Sequence, residues 1–97
     1  MYAVIFKAEI NELDQSYYDT ALRMRELAIS KYGCTEFTAV TEGNREIAIS
    51  YWSNQEQISE WKQDYEHLLA QEQGRTKWYK SYSVQIVKVE REYKGNT

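Results

Sequence analysis

The chain contains one histidine, His67, the side chain best suited to proton transfer near neutral pH. In a helix it shares a face with Glu60, Asp64 and Gln71, because neighbours in this set are three or four residues apart. His67 is therefore a candidate proton acceptor, or a candidate axial ligand to iron. The alternative is a helix histidine that bonds to Asp64 or to the backbone and does no chemistry. With no second histidine in the chain, a hydrolytic metal site is disfavoured, and we expect no metal ligands.

A second candidate segment runs from Gln71 to Tyr79, and Gly74 within it is expected to bend or break a helix. In this segment the guanidinium of Arg75 lies close in sequence to aromatic rings. It can bind an anionic or quinone-type oxygen while stacked on Trp78. The alternative is a structural role, in which Arg75 pairs with Glu72 or with an acid of a partner subunit.

Aromatic rings are concentrated in the second half of the sequence. They can line a pocket for a planar organic molecule, between the second predicted helix and the sheet. They can equally fill a core that is short of aliphatic side chains. The rings concerned are Tyr51, Trp52, Trp61, Tyr65, Trp78, Tyr79 and Tyr82.

Composition limits the size of the core. A chain of 97 residues has room for one core, and its hydrophobic fraction of 42% includes nine tyrosines. Aliphatic side chains are therefore scarce for a domain of this length. We expect the fold to complete its core by pairing with a second copy of the chain.

Charge and the single cysteine exclude several classes of protein. The 15 acidic and 12 basic residues, with the basic ones scattered, argue against nucleic-acid binding. The longest apolar run, Ala3 to Phe6, is too short to cross a membrane, so we expect a cytoplasmic protein. Cys34 cannot form an internal disulfide or a thiolate zinc cluster, and we interpret it as an inert small hydrophobe.

Hydrophobic periodicity predicts six elements in the order β-α-β-β-α-β, over residues 1–93, followed by a frayed tail at 94–97. Glycine is expected to end the first helix at Gly33, and Ser53 with Glu56 forms a capping box for the second. The predicted strands are 2–10, 34–41, 46–52 and 82–91. The predicted helices are 14–32 and 53 to about 74, and the second is followed by a last, irregular helical turn over 75–80. The apolar stripe of the second helix is predicted to contain Ile58, Trp61, Tyr65, Leu68 and Leu69.

This order predicts an α+β, ferredoxin-like fold, in which both helices cover one face of a four-stranded antiparallel sheet. The other face would then leave an apolar patch in water, which a second sheet can cover. We therefore expect a homodimer that forms through the sheet face. The patch is predicted to contain Ala3, Ile5, Ala48, Trp52 and Val87, or the residues that alternate with them along each strand.

The second half of the chain contains the motif Ile49-Ser50-Tyr51-Trp52-Ser53, Ile58-x-x-Trp61 and Glu66-His67-x-x-Ala70-Gln71-x-x-Gly74-Arg75-x-x-Trp78-Tyr79-x-x-Tyr82. With this motif the chain resembles the antibiotic biosynthesis monooxygenase domain family. The resemblance is greatest to its bacterial branch of short, single-domain proteins, and it extends over essentially the whole chain.

This resemblance implies a dimeric α/β barrel, with a pocket between the sheet and the helices of each subunit. Some members of the family oxidise polycyclic phenols or quinols with molecular oxygen, without a bound metal or flavin. By position, the resemblance implies that Trp61 and His67 line the pocket, with Trp52 and Trp78 nearby.

Other relatives in this superfamily bind and degrade haem, using a helix tryptophan and a histidine about three turns further on. Trp61 matches that tryptophan, but Gln71 stands at the position of the iron ligand. An amide is a poor iron ligand, and His67 lies about one turn too early, which weakens the haem hypothesis.

The leading hypothesis is a cofactor-independent, monooxygenase-like protein that acts on an aromatic or quinone-type small molecule. Two alternatives remain open: a non-catalytic dimeric module that binds a ligand or is purely structural, and a haem-binding protein that uses His67. In the leading hypothesis His67 is the catalytic residue, and the substrate-binding residues are Trp52, Trp61, Gln71, Arg75 and Trp78.

Overall fold

The fold contains a four-stranded antiparallel sheet. The strands in this computed structural model, which describes residues 1–96, are β1 Tyr2–Ile10, β2 Glu36–Glu42, β3 Arg45–Trp52 and β4 Tyr79–Lys88. Their order in the sheet is β2-β3-β1-β4. The helices are α1 Gln15–Ser30, α2 Gln55–Gln63 and α3 Tyr65–Gln73, followed by a π-helical turn, Gly74–Trp78. This arrangement confirms the predicted α+β, ferredoxin-like fold. The division into a domain over 1–93 and a tail at 94–97 stays a prediction, and Thr97 lies outside the described residues.

The first helix forms where the sequence predicts it, between a capping residue and a glycine. The Asp14 carboxylate accepts a hydrogen bond from the Tyr17 N–H at 2.9 Å, and Gly33 follows the helix with a φ of +89°. The buried face of α1 contributes Tyr17, Met24 and Leu27 to the layer between helices and sheet.

The second predicted helix is in fact two helices, because the chain turns at Asp64. The backbone of Asp64 is extended, with a ψ of 138°, and its carboxylate accepts from the Glu66 N–H at 2.9 Å. Asp64 therefore ends α2 and caps α3. At the start of α2 the capping geometry is displaced by one residue from the prediction, since Asn54 caps the Gln57 N–H at 2.9 Å.

The break at Asp64 changes which side chains of the second helical segment face the sheet. Ile58 and Trp61 are buried as predicted. Tyr65, Leu68 and Leu69 are 74%, 48% and 51% exposed, so their assignment to the inward stripe was wrong. The stripe assumed one continuous helix, and the extended residue resets the helical phase after position 64.

The regular helix α3 ends just before Gly74, and an irregular helical turn follows it, as the sequence predicted. The chain continues through the π-helical turn and enters β4 at Tyr79, three residues earlier than predicted. A Cβ at position 74 would lie 2.9 Å from Cε2 of the Tyr79 ring. Glycine is therefore required here by close packing rather than by helix termination.

Strand register divides the sheet into a helix-covered face and an open face. Trp52 pairs with Tyr2, and Ala48 with Phe6, and all four lie on the helix-covered face. The prediction that Trp52 and Ala48 belong to the open face was therefore wrong. The apolar residues of the open face are Ala3, Ile5, Val40, Ile47, Ile49, Tyr51 and Val87.

The helices of the described residues do not resemble membrane spans. The longest of them, α1, has 16 residues. None of the helices formed by residues 1–96 has the length and apolar character needed to cross a membrane.

Replacing Gly33 with alanine is expected to destabilise the protein. A Cβ at this position would lie 2.5 Å from the Gln57 Nε2, and an L-residue at positive φ costs about 1–2 kcal/mol. Chemical denaturation should show a loss of this size in the free energy of unfolding. Gly95→Ala is the control, because nothing lies within 4 Å of a Cβ there. Equal stability of the two variants would show that the conformation at Gly33 does not constrain the fold.

Candidate active site

A cavity of about 480 Å³ lies between the sheet and the helices α1 and α3. Its size falls within the range of small-molecule sites. The sheet contributes apolar side chains to it, among them Val4, Phe6 and Ala48. Rings contributed by the sheet, by α1 and α2 and by the segment after α3 are Phe6, Tyr17, Phe37, Trp61, Trp78, Tyr79 and Tyr82. The cavity is thus suited to an aromatic ligand of drug-like size.

His67 lines this cavity, and its ring is held by Trp61. Its Nδ1 lies 3.1 Å from the Trp61 carbonyl oxygen, and the two rings are 4.2 Å apart between centroids. Because a carbonyl only accepts, the bond assigns the hydrogen of the neutral ring to Nδ1. Nε2 is then unprotonated and can accept a proton.

Partial burial favours the neutral form of the His67 ring. Desolvation is the largest effect and lowers the pKa of His67 from its usual 6.5, while the bond to the Trp61 carbonyl opposes the shift. The positive charge of Lys62 lowers the pKa further, and Asp64 acts in the opposite direction. A histidine in this state is a base at neutral pH.

The two predicted wall residues Trp61 and Trp52 have different positions. Trp61 lines the cavity, and its indole N–H donates to the Met24 carbonyl at 3.1 Å. Trp52 is 0% exposed and lies behind Trp61, with ring centroids 5.1 Å apart. Its indole N–H donates to the Ser50 hydroxyl at 2.8 Å. Trp52 therefore supports the wall from the core rather than forming its surface.

The predicted site residues Gln71, Arg75 and Trp78, which follow α2 in the chain, all line the cavity. The Gln71 side-chain amide donates to the Lys62 carbonyl at 3.1 Å, which ties α3 to α2. The Arg75 guanidinium donates to the Glu72 carboxylate at 3.0 Å and is half exposed. Arg75 thus forms the ion pair with Glu72 that its structural alternative predicted. Trp78 is buried and stands at 84° to the Tyr17 ring, 5.2 Å away.

A buried acid in the cavity was missed from the sequence. Glu46 is 8% exposed, and the Tyr17 hydroxyl donates a hydrogen bond to its Oε2. Burial raises the pKa of Glu46, and the bond from Tyr17 opposes that shift. The signal was available in the sequence, because Glu46 alternates in phase with the buried residues Ser50 and Trp52.

Two tyrosines complete this cluster. Burial and then the bond to Glu46 raise the pKa of Tyr17, while burial raises the pKa of Tyr79 to about 12. The Tyr17 and Tyr79 rings are perpendicular, 6.1 Å apart. Both phenols therefore stay protonated and can donate hydrogen bonds.

The remaining candidate groups lie outside the cavity. Cys34 is buried, and desolvation raises the pKa of its thiol, which fits the interpretation of an inert side chain. Within residues 1–96, no group of three or more His, Cys, Asp and Glu side chains is arranged to hold a metal ion.

The chain matches no protein-family model. It is 41% identical over 92 residues to the uncharacterized protein YqjZ of Bacillus subtilis, which covers 94% of this chain and 81% of YqjZ. SnoaB, a cofactor-independent oxygenase from Streptomyces nogalater, has a TM-score of 0.78 at 11% identity, with 94% of each chain covered. A Nitrosomonas europaea protein that is provisionally named an antibiotic biosynthesis monooxygenase has a TM-score of 0.77 at 13% identity, covering 94% of this chain and 100% of that one.

The comparisons with solved structures and with YqjZ support different conclusions. At 11–13% identity, the two solved structures show that the fold is shared. The identity to YqjZ extends over most of both chains and shows common family membership. The chain therefore belongs to the family of YqjZ, and its fold is that of the antibiotic biosynthesis monooxygenase domain proteins, as its sequence motif had indicated.

Proposed function

We propose that this protein is an oxygenase-like enzyme that takes up an aromatic or quinone-type small molecule and needs no bound cofactor. The observation that carries the proposal is the position of His67, which faces an aromatic cavity with Nε2 free to accept a proton. The fold it shares with SnoaB, a cofactor-independent oxygenase, supports the same class of reaction.

In the proposed reaction His67 removes the proton of a phenolic hydroxyl. The resulting anion is electron-rich and reacts with dioxygen at a ring carbon. One oxygen atom becomes a quinone carbonyl, and the other leaves as water with the two hydrogens that the substrate loses. The protein supplies the base and an aromatic cavity that holds the substrate beside it.

The other predicted site residues position the substrate in this proposal. Trp61 and Trp78 contact the faces or edges of its rings, and Trp52 holds Trp61 in place. Gln71 and Arg75 lie on the helical side of the cavity, where an amide and a guanidinium can bind a substrate oxygen.

Replacing His67 with glutamine should reduce oxygen consumption with a panel of hydroquinones by about 100-fold, the usual contribution of a general base. The rate of the unmodified protein should rise with pH through the pKa of His67, with a midpoint below pH 6.5, because burial lowers that pKa. An oxygen electrode measures both effects.

Glu60→Gln is the matched control, because Glu60 is exposed on the same helical segment and does not line the cavity. Unchanged oxygen consumption in His67→Gln would refute the role of His67 as base. If His67→Gln and Trp61→Ala change only the melting temperature, the protein is a non-catalytic binding or structural module.

A haem-binding function is the second candidate, and one contact favours it. Histidines that ligate a metal usually donate their other N–H to a carbonyl or carboxylate, as Nδ1 of His67 does to Trp61. His67 would then hold the iron, and haem would supply its redox chemistry. Hemin titration separates the two functions: a Soret band that is lost in His67→Gln supports haem binding, and an unchanged hemin spectrum excludes it.

We also propose that the protein is a homodimer formed through the open face of the sheet. This face presents a continuous group of apolar side chains, centred on Ile5 and Ile49, which are paired in the β1–β3 register. A second sheet packed on it would remove this group from water.

Substitution of Ile5 by lysine should convert the dimer into a monomer, because it places a charge at the centre of the interface. Sedimentation velocity at micromolar concentration measures the change. Leu68→Lys is the control, since Leu68 is exposed on the helical side of the protein. A folded monomer of the unmodified chain under these conditions would show that the dimer does not form.

A further inference from the structure

Glu46 is a buried carboxyl that the proposed reaction leaves unused. It lies on the helix-covered face of β3, opposite Ala8, and lines the cavity. Among the described residues, no lysine, arginine or histidine forms an ion pair with it. A buried carboxyl without a cationic partner is unfavourable for folding, so its presence calls for another explanation.

Tyr17 fixes the orientation of this carboxyl. Its hydroxyl donates to Oε2, and no protein group within residues 1–96 is bonded to Oε1. Tyr17 is itself held by the edge-on rings of Trp78 and Tyr79, at 5.2 and 6.1 Å. The carboxyl therefore has one oxygen bound to the protein and one available to a ligand in the cavity.

Glu46 and His67 lie at different ends of the cavity. The His67 end is marked by Met24, whose carbonyl binds the Trp61 indole, and the Glu46 end is marked by Tyr17. Tyr17 and Met24 are seven positions apart in α1, which corresponds to roughly 10 Å along the helix axis at 1.5 Å per residue. A ligand that reaches both groups must therefore be elongated.

We infer that Glu46, oriented by Tyr17, is a second binding point in the cavity, which hydrogen-bonds an oxygen at the end of the ligand remote from His67. This inference rests on the proposed function and specifies its substrate class as an aromatic molecule with oxygen substituents at both ends. Tyr17 is a positioning residue in this arrangement.

The charges around the cavity favour an oxygen rather than an ammonium group as the ligand atom. Burial raises the pKa of Glu46, and the titratable groups that face it, Tyr17 and Tyr79, are phenols that stay protonated. A neutral carboxyl both donates and accepts, as binding to a hydroxyl or a carbonyl requires. The other charged side chains that line the cavity are basic (Arg25, Lys62 and Arg75), and they repel a cation.

Calorimetric titration with two probes tests the inference, 2-naphthol with one hydroxyl and 2,6-dihydroxynaphthalene with one at each end. The unmodified protein should bind the diol about tenfold more tightly, the usual gain from one further hydrogen bond. Glu46→Leu should bind the two probes equally, and Glu46→Gln, whose amide still donates and accepts, should keep most of the preference. Tyr17→Phe should show a reduced preference, and Glu60→Leu, the control, should resemble the unmodified protein.

Where the probes bind, the inference is overturned by no preference for the diol in the unmodified protein, or by a full preference in Glu46→Leu. Failure of both probes to bind overturns it together with the proposed function. A preference that disappears in Glu46→Leu, in a protein that consumes no oxygen, supports the inference and refutes only the oxygenase reaction.

Stability measurements separate a binding role of Glu46 from a structural one. A raised pKa means that the folded state binds the proton of Glu46 more tightly than the unfolded state, whose pKa is near 4.5. Stability from this group is therefore present below pH 4.5 and is lost as the pH rises through the folded pKa. Glu46→Gln should melt at a higher temperature than the unmodified protein at pH 7, with a gain that disappears below pH 4.5. A lower melting temperature at pH 7 would show that Glu46 is structural and would overturn the inference.

Discussion

Trp61 connects the parts of the protein that form the cavity. Its indole N–H bonds to the Met24 carbonyl and fixes α2 against α1, while its ring packs on Trp52 in the core. Its own carbonyl is the acceptor for Nδ1 of His67. One residue thus determines the separation of the helices, the wall of the cavity and the tautomer of the only histidine in the chain. Both the shape of the site and the chemistry available in it depend on this set of contacts.

The order of elements, the fold and most strand positions could be predicted from the sequence, because alternation and capping are local signals. The orientation of α3 could not, since it depends on Asp64. Apolar spacing through Tyr65, Leu68 and Leu69 favours a continuous helix, yet the extended backbone at Asp64 turns these side chains to solvent. The choice between the two is made by contacts distant in sequence, such as the bond from the Tyr32 hydroxyl to the Asp64 carboxylate at 2.6 Å.

The candidate site could likewise be predicted only where its residues belong to a local sequence pattern. His67, Trp61, Gln71, Arg75 and Trp78 lie in one motif, and the fold brings them to one cavity. Glu46 lies outside that motif, and its role depends on strand register, which places it opposite Ala8 on the covered face. The alternation of residues along β3 is enough to place Glu46 on the inner face of the strand. Whether it meets a lysine, a phenol or an empty space is decided by the packing of α1, which the pattern of β3 does not contain.

Burial shifts the pKa values of His67 and Glu46 in opposite directions, and in both cases it favours the uncharged form. Desolvation lowers the pKa of His67 and raises the pKa of Glu46, so that each neutral form is favoured. A neutral imidazole accepts a proton, and a neutral carboxyl donates one. The two groups need no mutual contact for this difference, because it arises from the apolar walls that surround both. An apolar cavity of this kind therefore favours uncharged groups at both positions, which suits it to bind an uncharged aromatic molecule.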